Sequence, residues 1–217
     1  MSRRQLYAFL RDLTDNNSKR WMDAHRDRYE AAKAIWTDTC ASLLKRLAEE
    51  DDFYRDIEAR DTVERINNNL MYHPDRPTYK GHFGFAPGDQ KGTGLYVAIS
   101  PSYSFIGGGV HNPDNGMLRD IRAAIGADGD ALHAIVTDDT FTEYFEGGLE
   151  EDPKMLKSSP KGYASDHQHI DLLRRKNFTV SRRITQEDVI GDAFPDVVAE
   201  AYVKMQPLLT FMRRALG

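Results

Sequence analysis

Cysteine is almost missing: Cys40 is the single one among 217 residues. An internal disulfide and a cysteine-rich zinc site are thereby excluded. Long apolar runs are missing too, so no segment is read as spanning a bilayer. The start, Met1-Ser2-Arg3-Arg4, leads to Asp12 and Asp15 instead of an apolar stretch, so no secretory signal is read there. Positive charge is in deficit, with 29 Lys and Arg against 34 Asp and Glu. Such an acidic chain is a poor non-specific DNA binder, because that affinity comes from neutralising phosphates. His-Glu-x-x-His, Gly-x-Ser-x-Gly and EF-hand patterns are absent, as are internal repeats. What is present suffices for a core: 40% hydrophobic residues, including 2 Trp, 10 Tyr and 10 Phe. A single cytoplasmic domain over 1–217 is expected, with no membrane association.

Hydrophobic spacing predicts the elements. Leu6, Phe9, Leu10 and Leu13 recur at helical spacing over 3–13. Trp21, His25, Tyr29, Ala32, Trp36, Cys40, Leu43 and Leu47 mark one face of a helical region over 18–49, capped by Ser18 and breakable near His25. The middle turns β-branched, aromatic and Gly/Pro-punctuated. Leu95 to Ile99 is the clearest strand, Tyr103 and Phe105 mark another, and Val63–Tyr72 and Tyr79–Phe85 are weaker ones. His73 to Pro77 must turn. Asn112-Pro113 reads as the start of a helix running to about Gly126, and 130–146 hold one or two more. Ser165 with Gln168 predicts a capped helix to Lys176. Phe178–Ile184 alternates as a strand, and Thr185 with Asp188 opens a short helix. Pro195–Ala215 closes the chain as a helix that Pro207 should kink or break. The sum is α+β: helices at both chain ends around a mainly antiparallel central sheet.

Three polar stretches are candidate sites. Arg65 to His82 concentrates Arg65, Asn67, Asn69, Asp75, Arg76, Tyr79 and Lys80. In a strand, Arg65, Asn67 and Asn69 share a face that would grip an anionic or amide-bearing ligand. The structural alternative is a network under a turn, with Arg65 holding Asp75. Gly107-Gly108-Gly109, followed by His111, reads as a glycine-rich turn opening a helix. There the Gly108 and Gly109 amides would cradle an anion, or the glycines would simply serve a tight turn. Lys157 and Lys161 flank two serines in a loop suited to a phosphate or carboxylate. Ser158 and Lys161 have the Ser-x-x-Lys spacing, but Pro160 and Gly162 oppose the helix that chemistry needs. His111 and His167 are the candidate acid–base residues. His167 and His169 would lie about 200° apart on a helix with no third histidine near, so no metal ligands are assigned.

Charge is unevenly placed. Residues 138–152 hold seven carboxylates and no Lys or Arg, whereas 154–183 hold eight Lys and Arg against Asp166 and Asp171. The two blocks either neutralise each other or leave 154–183 as a basic footprint for protein or nucleic acid.

The order of these segments resembles a bacterial and fungal family, domain of unknown function 2461, over nearly the whole chain. Asn16-Asn17 with Trp21 and Tyr29 looks like the family's start. Arg65, Asp75, Tyr79 and Lys80 fall on its central signature. The three glycines, the Leu118–Ile125 helix, and Pro160-Lys161-Gly162-Tyr163 with Asp166-His167 also match. Asn68-Asn69 stands where the signature has Arg-Asp, Met71 where it has Arg, Tyr72 where it has Phe, and Arg76 where it has Lys. The resemblance carries no activity, and cofactors stay unknown.

The expected function is therefore binding of a small anionic ligand by the three stretches, with hydrolysis or group transfer as the chemistry they suit. The alternatives are a protein- or nucleic-acid-binding module using 154–183, and a diverged family member that kept the fold without an activity.

Overall fold

Leu6, Phe9, Leu10 and Leu13 are all buried, together with Tyr7, along one face of α1 (Arg4–Asp15). The computed structural model describes residues 2–217. After α1 come α2 (Lys19–Ala24), α3 (Arg26–Leu47), a 3₁₀ turn (Asp52–Tyr54) and α4 (Ala59–Thr62). Next are β1 (Phe83–Phe85), β2 (Asp89–Gln90), β3 (Thr93–Ile99) and β4 (Ser104–Val110). Then follow α5 (Asn115–Thr137), α6 (Asp139–Tyr144), α7 (Ile170–Arg174), β5 (Phe178–Ile184), α8 (Gln186–Ile190) and α9 (Phe194–Ala215). The sheet is antiparallel, in the order β1-β3-β4-β5 with β2 also on β3. The fold is α+β, with helices at both chain ends.

By internal contacts the chain divides into two compact units. The first comprises the residues up to Pro87, Tyr96–Ile106 and Arg183–Glu200. Its helical start follows the sequence reading. The Ser18 hydroxyl accepts the Trp21 N–H, and the helix breaks at His25, whose ring stacks on Trp21 at 4.3 Å. Below that break, Trp36, Cys40, Leu43 and Leu47 are wholly buried, and the Trp36 indole N–H donates to the Gly84 carbonyl at 3.0 Å. Burial pushes the Cys40 thiol up to about 12. On the other side Tyr7 meets Ser104 at 3.3 Å, and Arg46 binds Asp196 at 2.7 Å. Thr185 and Asp188 form the expected capping box of α8.

The second unit comprises Gly88–Leu95, Gly107–Arg182 and Ala201–Gly217. The β5 strand ends where alternation placed it, with Phe178 and Val180 buried. The helix expected to end near Gly126 does so within two residues: Asp128 is non-helical (φ −147°, ψ 52°), and a second helical stretch follows it within α5 to Thr137. Two expectations fail here. The N-cap of α5 is Asp114, whose carboxylate accepts the Met117 N–H, not Asn112. Ser165 and Gln168 cap nothing. Residues 160–170 instead make successive turns (Tyr163 N–H to Pro160, His167 N–H to Ala164, Ile170 N–H to His167), and α7 starts only at Ile170. The glycines of α5 account for this path. The Tyr163 ring lies against Gly126, and the His169 imidazole so close to Gly129 that a side chain there would collide with it. Finally, Pro207 sits inside α9 without ending it.

Candidate functional site

The Asn-rich segment does not form the expected strand over 63–72. It makes only isolated bridges, Val63 to Phe85 and Asn67 to Tyr79. Asparagine is a poor strand former because its amide competes for backbone groups. Here the Asn68 side chain donates to the Pro77 carbonyl, and Asn17 reaches across to take both backbone groups of Tyr79 at 2.9 Å. Residues 67–79 thus form a strap, pinned at its base and exposed at Met71 and Tyr72.

Beneath the strap, the backbone sets a polar cluster wholly within the first unit. The Glu64 N–H donates to the Gly84 carbonyl, and the Lys80 N–H to that of Ile66, so residues 64–66 run alongside residues 80–84. Lys80 and His82 flank Gly81 in a bend just before β1, and both side chains reach Glu64. The register Gly84 to Ala98 brings Tyr96 of β3 diagonally beside Gly84. The result is one carboxylate with three partners. Glu64 Oε1 takes the Lys80 ammonium, while Oε2 takes the Tyr96 hydroxyl at 2.7 Å and lies 3.4 Å from His82 Nε2. His82 Nε2 is also 3.2 Å from the Tyr96 oxygen. Because Tyr96 gives its proton to Glu64, the hydrogen-bond network assigns the imidazole proton to Nε2 and leaves Nδ1 as an acceptor. His82 foremost, then Lys80 and Tyr96, outweigh burial and hold the Glu64 carboxyl down at about 2. Burial, then the neighbouring Glu64, push the Tyr96 hydroxyl up. Glycine at 84 leaves room for the cluster, since a Cβ would stand 2.6 Å from Glu64 Oε2 and 2.7 Å from the Tyr96 oxygen and would displace both.

Of the sequence candidates, Tyr79 and Lys80 belong to this assembly and Asn67 closes the strap above it. Arg65, Asn69, Asp75 and Arg76 are exposed, and no ion pair joins Arg65 to Asp75 among the described residues. The expected common face of Arg65, Asn67 and Asn69 does not form, for want of a strand.

In the second unit, Gly108 and Gly109 lie inside β4 and not in a turn before a helix. Gly109 has φ +122°, and a Cβ there would strike the Phe178 carbonyl oxygen. These glycines allow strand backbones to approach closely, so the amide cradle expected of them is not formed. His111 is exposed and its Nε2 accepts the Asn112 amide at 2.6 Å. Lys154 donates to the same Asn112, whose N–H goes to Asn177. Lys157 and Lys161 are exposed, with no side-chain partner among the described residues. His167 Nδ1 accepts the His169 N–H at 3.1 Å. Its ring lies 6.0 Å from those of Tyr163 and His169, and His133 of α5 lies equally far from His169. The third histidine is thus supplied by a distant helix, but among the described residues no three His, Cys, Asp or Glu are placed to hold a metal.

The basic stretch is largely occupied within its unit. Arg175 donates to the Glu150 and Asn177 carbonyls, Arg174 pairs with Asp171, and Arg182 stacks on Tyr144 at 4.3 Å. The acidic block meets β5 through hydroxyls and amides more than through cations. Glu150 accepts from Thr179 and Ser181 at 2.6 Å. Burial raises the Asp152 carboxyl, but the Lys176, Asn177 and Lys154 N–H groups and the Asn177 side chain outweigh it and hold it down.

The family model described as a conserved hypothetical protein, domain of unknown function 2461, matches residues 5–211. The chain belongs to this family. No curated protein and no solved structure matches it. Two parts of the chain that carry the family likeness, the Asn16-Asn17 start and the Tyr79-Lys80 pair, meet physically at the strap and cluster. Sequence reasoning missed Glu64 and Tyr96 and gave His82 no role. The available signal was strand alternation: Leu95 and Val97 turn inward, so Tyr96 must face the other way.

Proposed function

We propose that this chain binds a small ligand bearing a phosphate or carboxylate at the Glu64–Lys80–His82–Tyr96 cluster and performs proton transfer on it. The observation that carries the reading is a single part-buried carboxylate engaging an ammonium, an imidazole and a phenol at once. Such convergence on a sheet is the pattern of acid–base sites. Each partner has a spare function. Lys80 uses one N–H on Glu64 and keeps two for a ligand oxyanion. His82, backed by Glu64, offers Nδ1 as a general base. Hydrolysis and group transfer are the reactions such a base and cation serve. Glu64 and Lys80 cancel in charge, so the anion is held by the directed N–H groups of Lys80 and not by a net positive charge.

Inorganic phosphate titrated into the full chain tests this by NMR. The His82 ring resonances should shift, and Lys80→Met should abolish the shift while the spectrum elsewhere stays folded. Saturating phosphate that moves neither His82 nor Lys80 resonances would refute the assignment.

A further inference from the structure

Among the described residues five large hydrophobic side chains stand exposed, and three of them are consecutive: Leu70, Met71 (86%) and Tyr72 (74%), at the tip of the strap in the first unit. Single exposed apolar residues are ordinary, but a contiguous set marks a contact surface. The tip is ordered by two successive turns, in which the His73 N–H donates to the Asn69 carbonyl at 3.0 Å and the Arg76 N–H to that of His73 at 3.2 Å. Another of the five, Val203 of α9, lies in the second unit on the wall of a cavity of about 410 Å³. Ala134 and Ile135 of α5, Phe141 of α6 and Pro207 of α9 make the rest of that wall mainly apolar.

The two surfaces are opposite in charge. Asp138 is part of the cavity, and α6 adds Asp139 and Glu143 beside it, both exposed and without an ion pair among the described residues, against the single cation Lys204. Over residues 65–77 the charged side chains are Arg65 and Arg76 against Asp75, all exposed and likewise unpaired. We propose that this chain associates with a second copy of itself, the Leu70–Tyr72 tip of one copy entering the α5–α6–α9 cavity of the next. The tip leaves water against Ile135, Phe141 and Val203, while Arg76 and Arg65 face the carboxylates beside the cavity. A tip already held by its own turns loses little freedom on docking. Because tip and cavity are different surfaces, the contact is head-to-tail and leaves a free tip at one end and a free cavity at the other. An insertion of three side chains buries little area, so the association is weak and shows itself at high concentration.

Sedimentation velocity of the full-length chain, from micromolar to near-millimolar concentration, tests this. The wild-type chain should pass from monomer to larger species as concentration rises. Met71→Glu at the tip and Val203→Glu at the cavity wall, both at exposed positions outside the core, should each weaken association at least about tenfold. Mixing the two variants separates this contact from general stickiness. The first keeps a sound cavity and the second a sound tip, so one tip enters one cavity and growth stops at a dimer containing one of each. A wild-type chain that stays monomeric overturns the proposal. So does undiminished association of either variant alone, or a mixture that forms no mixed dimer.

Discussion

Glu64 illustrates how much one side chain can set. Its carboxyl is held at about 2, against 4.5 for an ordinary glutamate. A carboxyl depressed on folding stabilises the native state above its unfolded value and loses that contribution as pH falls toward its folded value. The wild-type chain should therefore lose stability between about pH 4.5 and pH 2 at this group. Because the carboxylate is one-third exposed, screening reduces the effect to on the order of 1–2 kcal/mol. Glu64→Gln should be less stable than wild type at neutral pH, with the gap closing near pH 2. Denaturant titrations across that range check it, and a gap independent of pH would assign the loss to packing alone. Gly84 belongs to the same account, since any side chain there would push Glu64 and Tyr96 apart.

At the level of elements, β4 depends on its glycines. Gly109→Ala forces a left-handed backbone on alanine and drives Cβ into the Phe178 carbonyl. Rigid backbone cannot yield as a side-chain tip can, so a loss of roughly 2–5 kcal/mol is expected in thermal or urea melts. The strap offers a gentler case. Asn17→Ala removes two hydrogen bonds to Tyr79 and should speed amide exchange at Tyr79 more than in α3. These examples also show what sequence reveals. The amphipathic helices and β5 were legible, because burial on one face writes a period into the chain. The Gly107–Gly109 segment was misread as a turn, because glycine signals backbone freedom without saying whether a turn or a close strand uses it. At Pro207, where a kink or a break was expected, α9 is not ended, since helix packing overrides local propensity. The Glu64 cluster was only half legible. Lys80 and Tyr79 stood out by charge and likeness, but Tyr96 joins them only through sheet register, which no local pattern encodes.

For the whole molecule, the unit boundaries fall inside elements. They cut β3 after Leu95, β4 after Ile106, β5 after Arg182 and α9 after Glu200. Strands and a helix shared in this way predict that the units unfold together. Trp21 and Trp36 both belong to the first unit, so tryptophan fluorescence reads that unit alone, whereas far-ultraviolet dichroism reads helices of both. Urea transitions by the two probes should coincide; separated midpoints would establish two independently melting parts. Cys40 supplies a third reporter. With its thiol sealed inside the first unit and withheld from ionisation, it should ignore iodoacetamide until the surrounding helices open. The rate of alkylation then becomes a clock for that opening. The same silence makes the wild-type chain a ready background for a dye on a single cysteine introduced at Tyr72, at the tip of the strap.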